Sequence, residues 1–214
     1  MKPALLPLLL SLACAPAWAL EGQDQQRLAQ IQDEWATIQY QVPADKRAVL
    51  FKQLHIRATQ FTQDREQLPE AWIWAGIVDS SWAGATGGLG ALGMVKDART
   101  AFETALRLNP KALQGSAYTS LAALYDRVPG WPVGFDDADK AEALLKQALV
   151  LNPEGIDTLY FWGDHLYRQK RYAEARQALL KALQAPSRPG RETADAGRRQ
   201  DIDALLKDVE RKLN

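Results

Sequence analysis

The sequence predicts an all-α protein built as a solenoid of helical hairpins, and three observations carry that expectation. The segments "DARTAFETALRLNP" (97–110), "DKAEALLKQALVLNP" (139–153) and "YAEARQALLKALQAP" (172–186) align on alanine, an apolar residue four on, and alanine three further. These are Ala98/Phe102/Ala105, Ala141/Leu145/Ala148 and Ala175/Leu179/Ala182, a spacing that draws one apolar stripe down a helix. A proline closes each segment, where it stops the helix. Upstream of each lies a second helical segment with a small residue at its crossing point: Gly76 in "AWIWAGIVD", Ala122 in "YTSLAALYD" and Gly163 in "LYFWGDHLY".

Within each pair the two helices are joined differently. Gly163 and Ala175 are 12 residues apart, but Gly76 and Ala98 are 22 apart and Ala122 and Ala141 are 19 apart. The first two repeats therefore carry insertions, "SSWAGATGGLGALGMVKD" and "YDRVPGWPVGFDD", at equivalent points of the hairpin. Read as extended loops, they emerge side by side on one edge of a stacked array, and Asp97 then opens the helix that follows the first of them.

Paired helices with small residues at these crossings, recurring about every 34 residues, resemble the tetratricopeptide repeat (TPR). The resemblance implies a right-handed TPR-type α-solenoid with three repeats over residues 69–189 and extended inter-helix loops in two of them. Residues 20–68 place apolar residues at Leu28, Ile31, Trp35 and Ile38, then at Val49, Leu50, Leu54, Ala58 and Phe61, with a break at "QVPAD". They form a leading helical pair. Residues 190–214 hold a capping helix, about 195–213, with Ile202, Leu205, Leu206, Val209 and Leu213 on its apolar face. A solenoid needs such caps to cover its ends.

The first 19 residues, "MKPALLPLLLSLACAPAWA", set one lysine before an apolar run and small residues at the positions read by signal peptidase. This is a secretory signal peptide cleaved after Ala19, too short to span a bilayer. The alternative is a lipoprotein signal acylated at Cys14, which would make the protein a lipid-anchored structural or assembly factor of the cell envelope, in the outer membrane. Cleavage after Ala19 removes Lys2 and Cys14, leaving 25 basic and 26 acidic residues and no cysteine. The expected location is the periplasm.

Composition narrows the function. The 214 residues are 47% hydrophobic and 24% charged, with 26 basic and 26 acidic side chains. A balanced charge gives no pull toward nucleic acid. Only His55 and His165 are available as imidazoles, and no spacing supports them as a metal pair. His165 and its neighbour Asp164 point about 100° apart on a helix and do not act together. "GATGGLGALG" lacks the lysine and hydroxyl pair of a phosphate loop. No cofactor, metal site or catalytic constellation is expected, and the protein is read as not an enzyme.

What remains is binding. In a TPR array the first helix of each repeat lines the concave groove. Carried over residue by residue, this assigns Glu70, Ile73, Ile77, Ser80 and Ser81 in the first repeat, and Ser116, Thr119, Ala123, Asp126 and Arg127 in the second. The third contributes Asp157, Tyr160, Asp164, Tyr167 and Arg168. Asp126, Arg127, Asp164 and Arg168 read either as a ladder of ion pairs or as a polar cradle. Trp82, Trp131 and Phe135 sit in the two insertions, where a large aromatic either folds back or waits for a partner. Pro129 and Pro132 stiffen the second insertion, whereas Trp72 and Trp162 are expected in the core. Inserted-loop TPR arrays behind a signal peptide also resemble the TatT-like periplasmic proteins associated with TRAP-type solute transporters. That resemblance implies an accessory scaffold beside a solute-binding protein. The expected function is recognition of a protein, peptide or small solute through the groove and the two loops.

Overall fold

In a computed structural model the described residues are 22–129 and 134–214; residues 1–19, read from sequence as a signal peptide, with Cys14 among them, and Trp131 and Pro132 lie outside them. The chain runs through α1 (Gly22–Gln41), α2 (Ala44–Asp64), α3 (Pro69–Thr86) and α4 (Ala91–Leu108). A 3-10 turn (Ala112–Gly115) leads to α5 (Ser116–Arg127), α6 (Ala138–Leu151), α7 (Ile156–Arg168), α8 (Tyr172–Leu183) and α9 (Glu192–Leu213). No strand occurs among the described residues. Helices α3/α4, α5/α6 and α7/α8 are the three hairpins, α1/α2 leads and α9 follows.

The hairpins close as the alanine stripes predict. Ala98, Phe102, Ala105, Ala141, Leu145, Ala148, Ala175, Leu179 and Ala182 are all fully buried. The glycines at two crossings are set by space: a Cβ on Gly76 would lie 2.6 Å from the Phe102 ring, and one on Gly163 would lie 2.7 Å from Leu179. Helices α4 and α6 stop at Asn109 and Asn152, the residues before proline, where the proline ring disfavours helical backbone. Asp137 opens α6 by accepting a hydrogen bond from the Lys140 amide at 3.0 Å, as an N-cap does.

The first insertion is not an extended loop. Helix α3 continues to Thr86 and α4 begins at Ala91, so the hairpin is lengthened and turns within residues 87–90. Gly84 stays within the helix, and it is Gly87 and Gly88 that end α3, with φ of 64° and 63°, a backbone that glycine adopts at little cost. Trp82 is consequently a helical residue, and Asp97 lies inside α4, not at its start. The second insertion separates α5, which ends at Arg127, from α6, which starts at Ala138. Its described ends fold back: the Asp137 amide donates to Tyr125 O at 3.1 Å, and Phe135 meets the Tyr125 ring edge-on at 5.4 Å.

In the leading pair the break falls where expected, and Leu28, Ile31, Trp35 and Ile38 are buried on α1. On α2 the buried stripe is Phe51, Leu54, Ala58 and Phe61, while Val49 is 63% exposed. Leu50 is half-buried against the same core, so the sequence stripe started one residue too early, at Val49. Trp72 and Trp162 are half-buried against the core. On α9, Ile202 and Val209 are fully buried, but Leu213 at the helix end is exposed.

Candidate binding surface

The first helices α1, α3, α5, α7 and α9 lie side by side, and α9 also packs on α1. A row whose ends touch must curl, so these helices enclose the groove that the resemblance implied. Its two halves differ.

The half nearer the starts of α3, α5 and α7 is filled by α9 and the segment before it. Asp157, at the start of α7, accepts from Arg188 Nη1 at 2.8 Å and from Arg198 Nε at 2.7 Å. Burial opposes its charge, but Arg198 and Arg188 outweigh burial and hold its carboxyl well below the usual aspartate range. The Arg198 guanidinium lies 4.3 Å over the Tyr160 ring and 5.0 Å over Phe161, and Arg191 covers Trp74 at 4.9 Å. Tyr40 of α1 donates to Asp201 of α9 at 3.1 Å. Gly197 admits that ring, because a Cβ there would lie 2.2 Å from it. Asp195 takes the Arg188 amide at 2.8 Å and the Arg188 guanidinium at 2.5 Å. Within this half Ile73, Thr119 and Thr158 are buried, with the two threonine hydroxyls 3.5 Å apart, and Ser116 is half-buried. Tyr160 and Asp157, assigned to the groove lining, are thus occupied by the chain itself.

The half nearer the helix ends is open. Here Asp164 accepts from Arg127 at 2.7 and 3.1 Å and from Arg168 Nε at 3.2 Å, and Arg168 also reaches the Asp126 carbonyl at 3.4 Å. The carboxylates lie beneath, with side-chain exposures of 4% for Asp126 and 9% for Asp164. The arginines lie above them, at 41% for Arg127 and 40% for Arg168. Both arginines thus pair with Asp164 alone, while the Asp126 carboxylate faces His165, and the two cations are the more exposed members. Tyr167 leans on Tyr172 at 5.6 Å, and Ala123 and Ile77 are half-buried between the helices. Ser80 and Ser81 donate to Gly76 O and Ile77 O one turn back, and Ser81 also receives the Trp35 indole N–H at 2.8 Å.

Two histidine–aspartate pairs cross between helices, neither found from sequence. His55 of α2 lies 2.5 Å from Asp79 of α3, with the Trp82 ring tilted against its own at 5.0 Å. Burial pushes the Asp79 carboxyl up to about 6 although His55 favours its charge. His165 of α7 lies 3.0 Å from both oxygens of Asp126 of α5 and is stacked on Trp162 at 5.6 Å. The sequence reading weighed His165 against Asp164 on its own helix and His55 only as a metal partner of His165. The partner stands 24 or 39 residues away, on a helix packed alongside, and only the register between helices reveals it. Of the insertion aromatics, Trp82 covers a histidine, Phe135 folds back under Arg99 at 4.9 Å, and Trp131 lies outside the described residues. Two open hollows, one along α9 at Asp203 and Arg211 and one between Thr62 and Arg107, lie away from the groove.

Residues 133–191 match the family model described as tetratricopeptide repeat. No curated protein matches the sequence. Among solved structures the chain is similar to the crystal structure of TTC0263, a thermophilic TPR protein in Thermus thermophilus. The identity is 15% and the TM-score 0.57, with 86% of this chain and 97% of that one covered. With the buried alanine stripes and the row of first helices, these likenesses give the architecture its name: an all-α solenoid of the tetratricopeptide-repeat type.

Proposed function

We propose that the protein is an exported binding scaffold that recognises a protein or peptide through the open half of its groove. The observation that carries this is the outward-facing pair Arg127 and Arg168, pinned by the buried Asp164. Held arginines are good recognition groups, because their geometry is fixed before a partner arrives. Tyr167 and Ser80 extend the same surface.

The signal-peptide reading of residues 1–19 supports a periplasmic location, and the TatT-like resemblance supports a transporter solute-binding protein as partner. Osmotic-shock fractionation tests the first point: a soluble species beginning at Leu20 is expected. Membrane recovery that depends on Cys14 would replace it with the lipid-anchored reading. A photocrosslinking residue at Ser80 or Tyr167 tests the surface, with Val150, 79% exposed on α6, as control. Adducts from the two groove positions and none from Val150 are expected; equal capture by all three would overturn the assignment.

A further inference from the structure

We infer that His165 is a pH-sensitive clasp holding α6 against α5 and α7, closed when the imidazole is charged and released when it is neutral. The side chain is fully buried. Its Nδ1 faces both oxygens of Asp126 on α5 at 3.0 Å, and its Nε2 faces Glu142 Oε2 on α6 at 3.5 Å. A neutral imidazole carries one N–H, and the nearer, two-oxygen contact with Asp126 claims it at Nδ1. Nε2 then presents a lone pair to a carboxylate. The charged ring instead donates from both nitrogens and joins the two helices.

The other charged groups around the ring are held in ion pairs. On α5, Arg127 is paired with Asp164 of α7, which also holds Arg168. On α6, Lys146 bonds Glu142 at 2.8 Å, and Arg171, ahead of α8, reaches Glu142 at 3.4 Å and Glu174 at 2.6 Å. Lysine and arginine stay charged there. Glu142 is held down at about 2 by Lys146 foremost, against its partial burial and with help from His165. His165 is the member of the cluster suited to switch. Burial works against its charge, but Asp126 and Glu142 outweigh burial and raise its pKa above the ordinary 6.5. A raised imidazole contributes stability that is fully present below its unfolded value and is lost as pH rises through the folded one. The effect reaches further than α6 itself, because Asp137, the residue that caps the start of α6, is tied to α5 through Tyr125 O.

The full chain contains two histidines, so two imidazole signals can be followed by NMR from about pH 5 to about pH 9. The inference expects the His165 midpoint above 6.5 and a downward shift of that midpoint in Glu142→Gln. It also expects amide protection of Leu145 and Ala148, corrected for intrinsic exchange, to fall up to about tenfold across the midpoint. Glu142→Gln should flatten that step, whereas Lys146→Ala, which keeps the carboxylate facing His165, should retain it. A His165 ring that does not titrate in this range would overturn the inference. So would unchanged α6 protection across the midpoint in the unsubstituted protein, or a full step surviving in Glu142→Gln.

Discussion

The two halves of the groove use the same chemistry to opposite ends. Near the helix starts, arginines come from α9 and point inward onto Asp157 and two aromatic rings. Near the helix ends, arginines come from α5 and α7 themselves and point outward over a buried carboxylate. In the first half the Arg198 guanidinium is shielded from water, with only 10% of its side chain exposed, although Arg188, ahead of α9, stays 37% exposed; in the second half both arginines are left for solvent or a partner. A charged pair removed from solvent matters to the fold when one member is lost, and an exposed pair matters little. The difference separates the part of the groove that holds the molecule together from the part free to recognise something else.

This comparison can be broken at several points. Arg198→Ala removes an ion pair to Asp157 and the cover over Tyr160 and Phe161, so a loss of about 2–4 kcal/mol in denaturant unfolding is expected. A loss no larger than that of an exposed pair would mean that the filled half is only loosely closed. Ala182→Leu, in the hairpin core behind the groove, should cost about 1–3 kcal/mol by overpacking. An unchanged denaturation midpoint would contradict the close α7/α8 contact.

Acid should act on the filled half. Asp157 has a depressed carboxyl, so its contribution is present above the ordinary aspartate value of 3.8 and is lost as pH falls toward its folded value. The unfolding midpoint is therefore expected to drop as pH is lowered below that value, and Asp157→Asn should shrink the drop. An identical acid profile in the variant would remove Asp157 from the account. In the open half, Arg168→Ala should change stability by about 0–1 kcal/mol while weakening partner capture. Stability loss comparable to Arg198→Ala would erase the distinction between the halves.

Much of the architecture was legible in the sequence because it rests on side-chain size at fixed helical spacing. Ala98, Ala141 and Ala175 mark contacts that admit nothing larger, and the prolines mark where helices stop. The first insertion misled because glycine was read as loop along its whole length, whereas only Gly87 and Gly88 turn the chain and the alanines around Trp82 continue the helix. The groove residues were placed on the correct helices, but their occupancy was not legible. Nothing in Ile202 or Val209 announces that the other half of their helix, through Gly197 and Arg198, reaches α1 and α7. The signal was there in reduced form: a glycine inside a helix, followed by two arginines, which a simple end cap does not require. The histidine pairs were hidden for a related reason, since each joins helices whose relative register is a property of the packed array.

The central claim is that α9 is the occupant of the groove as well as its terminal cap, and native-state hydrogen exchange tests it most directly. If α9 fills the groove, the amides of Gly197, Arg198 and Asp201 should be as protected as those of α7, because they open only when the array opens. Exchange of these amides orders of magnitude faster than α7, with Val209 still protected, would show a cap that frays away from the groove and would contradict the account.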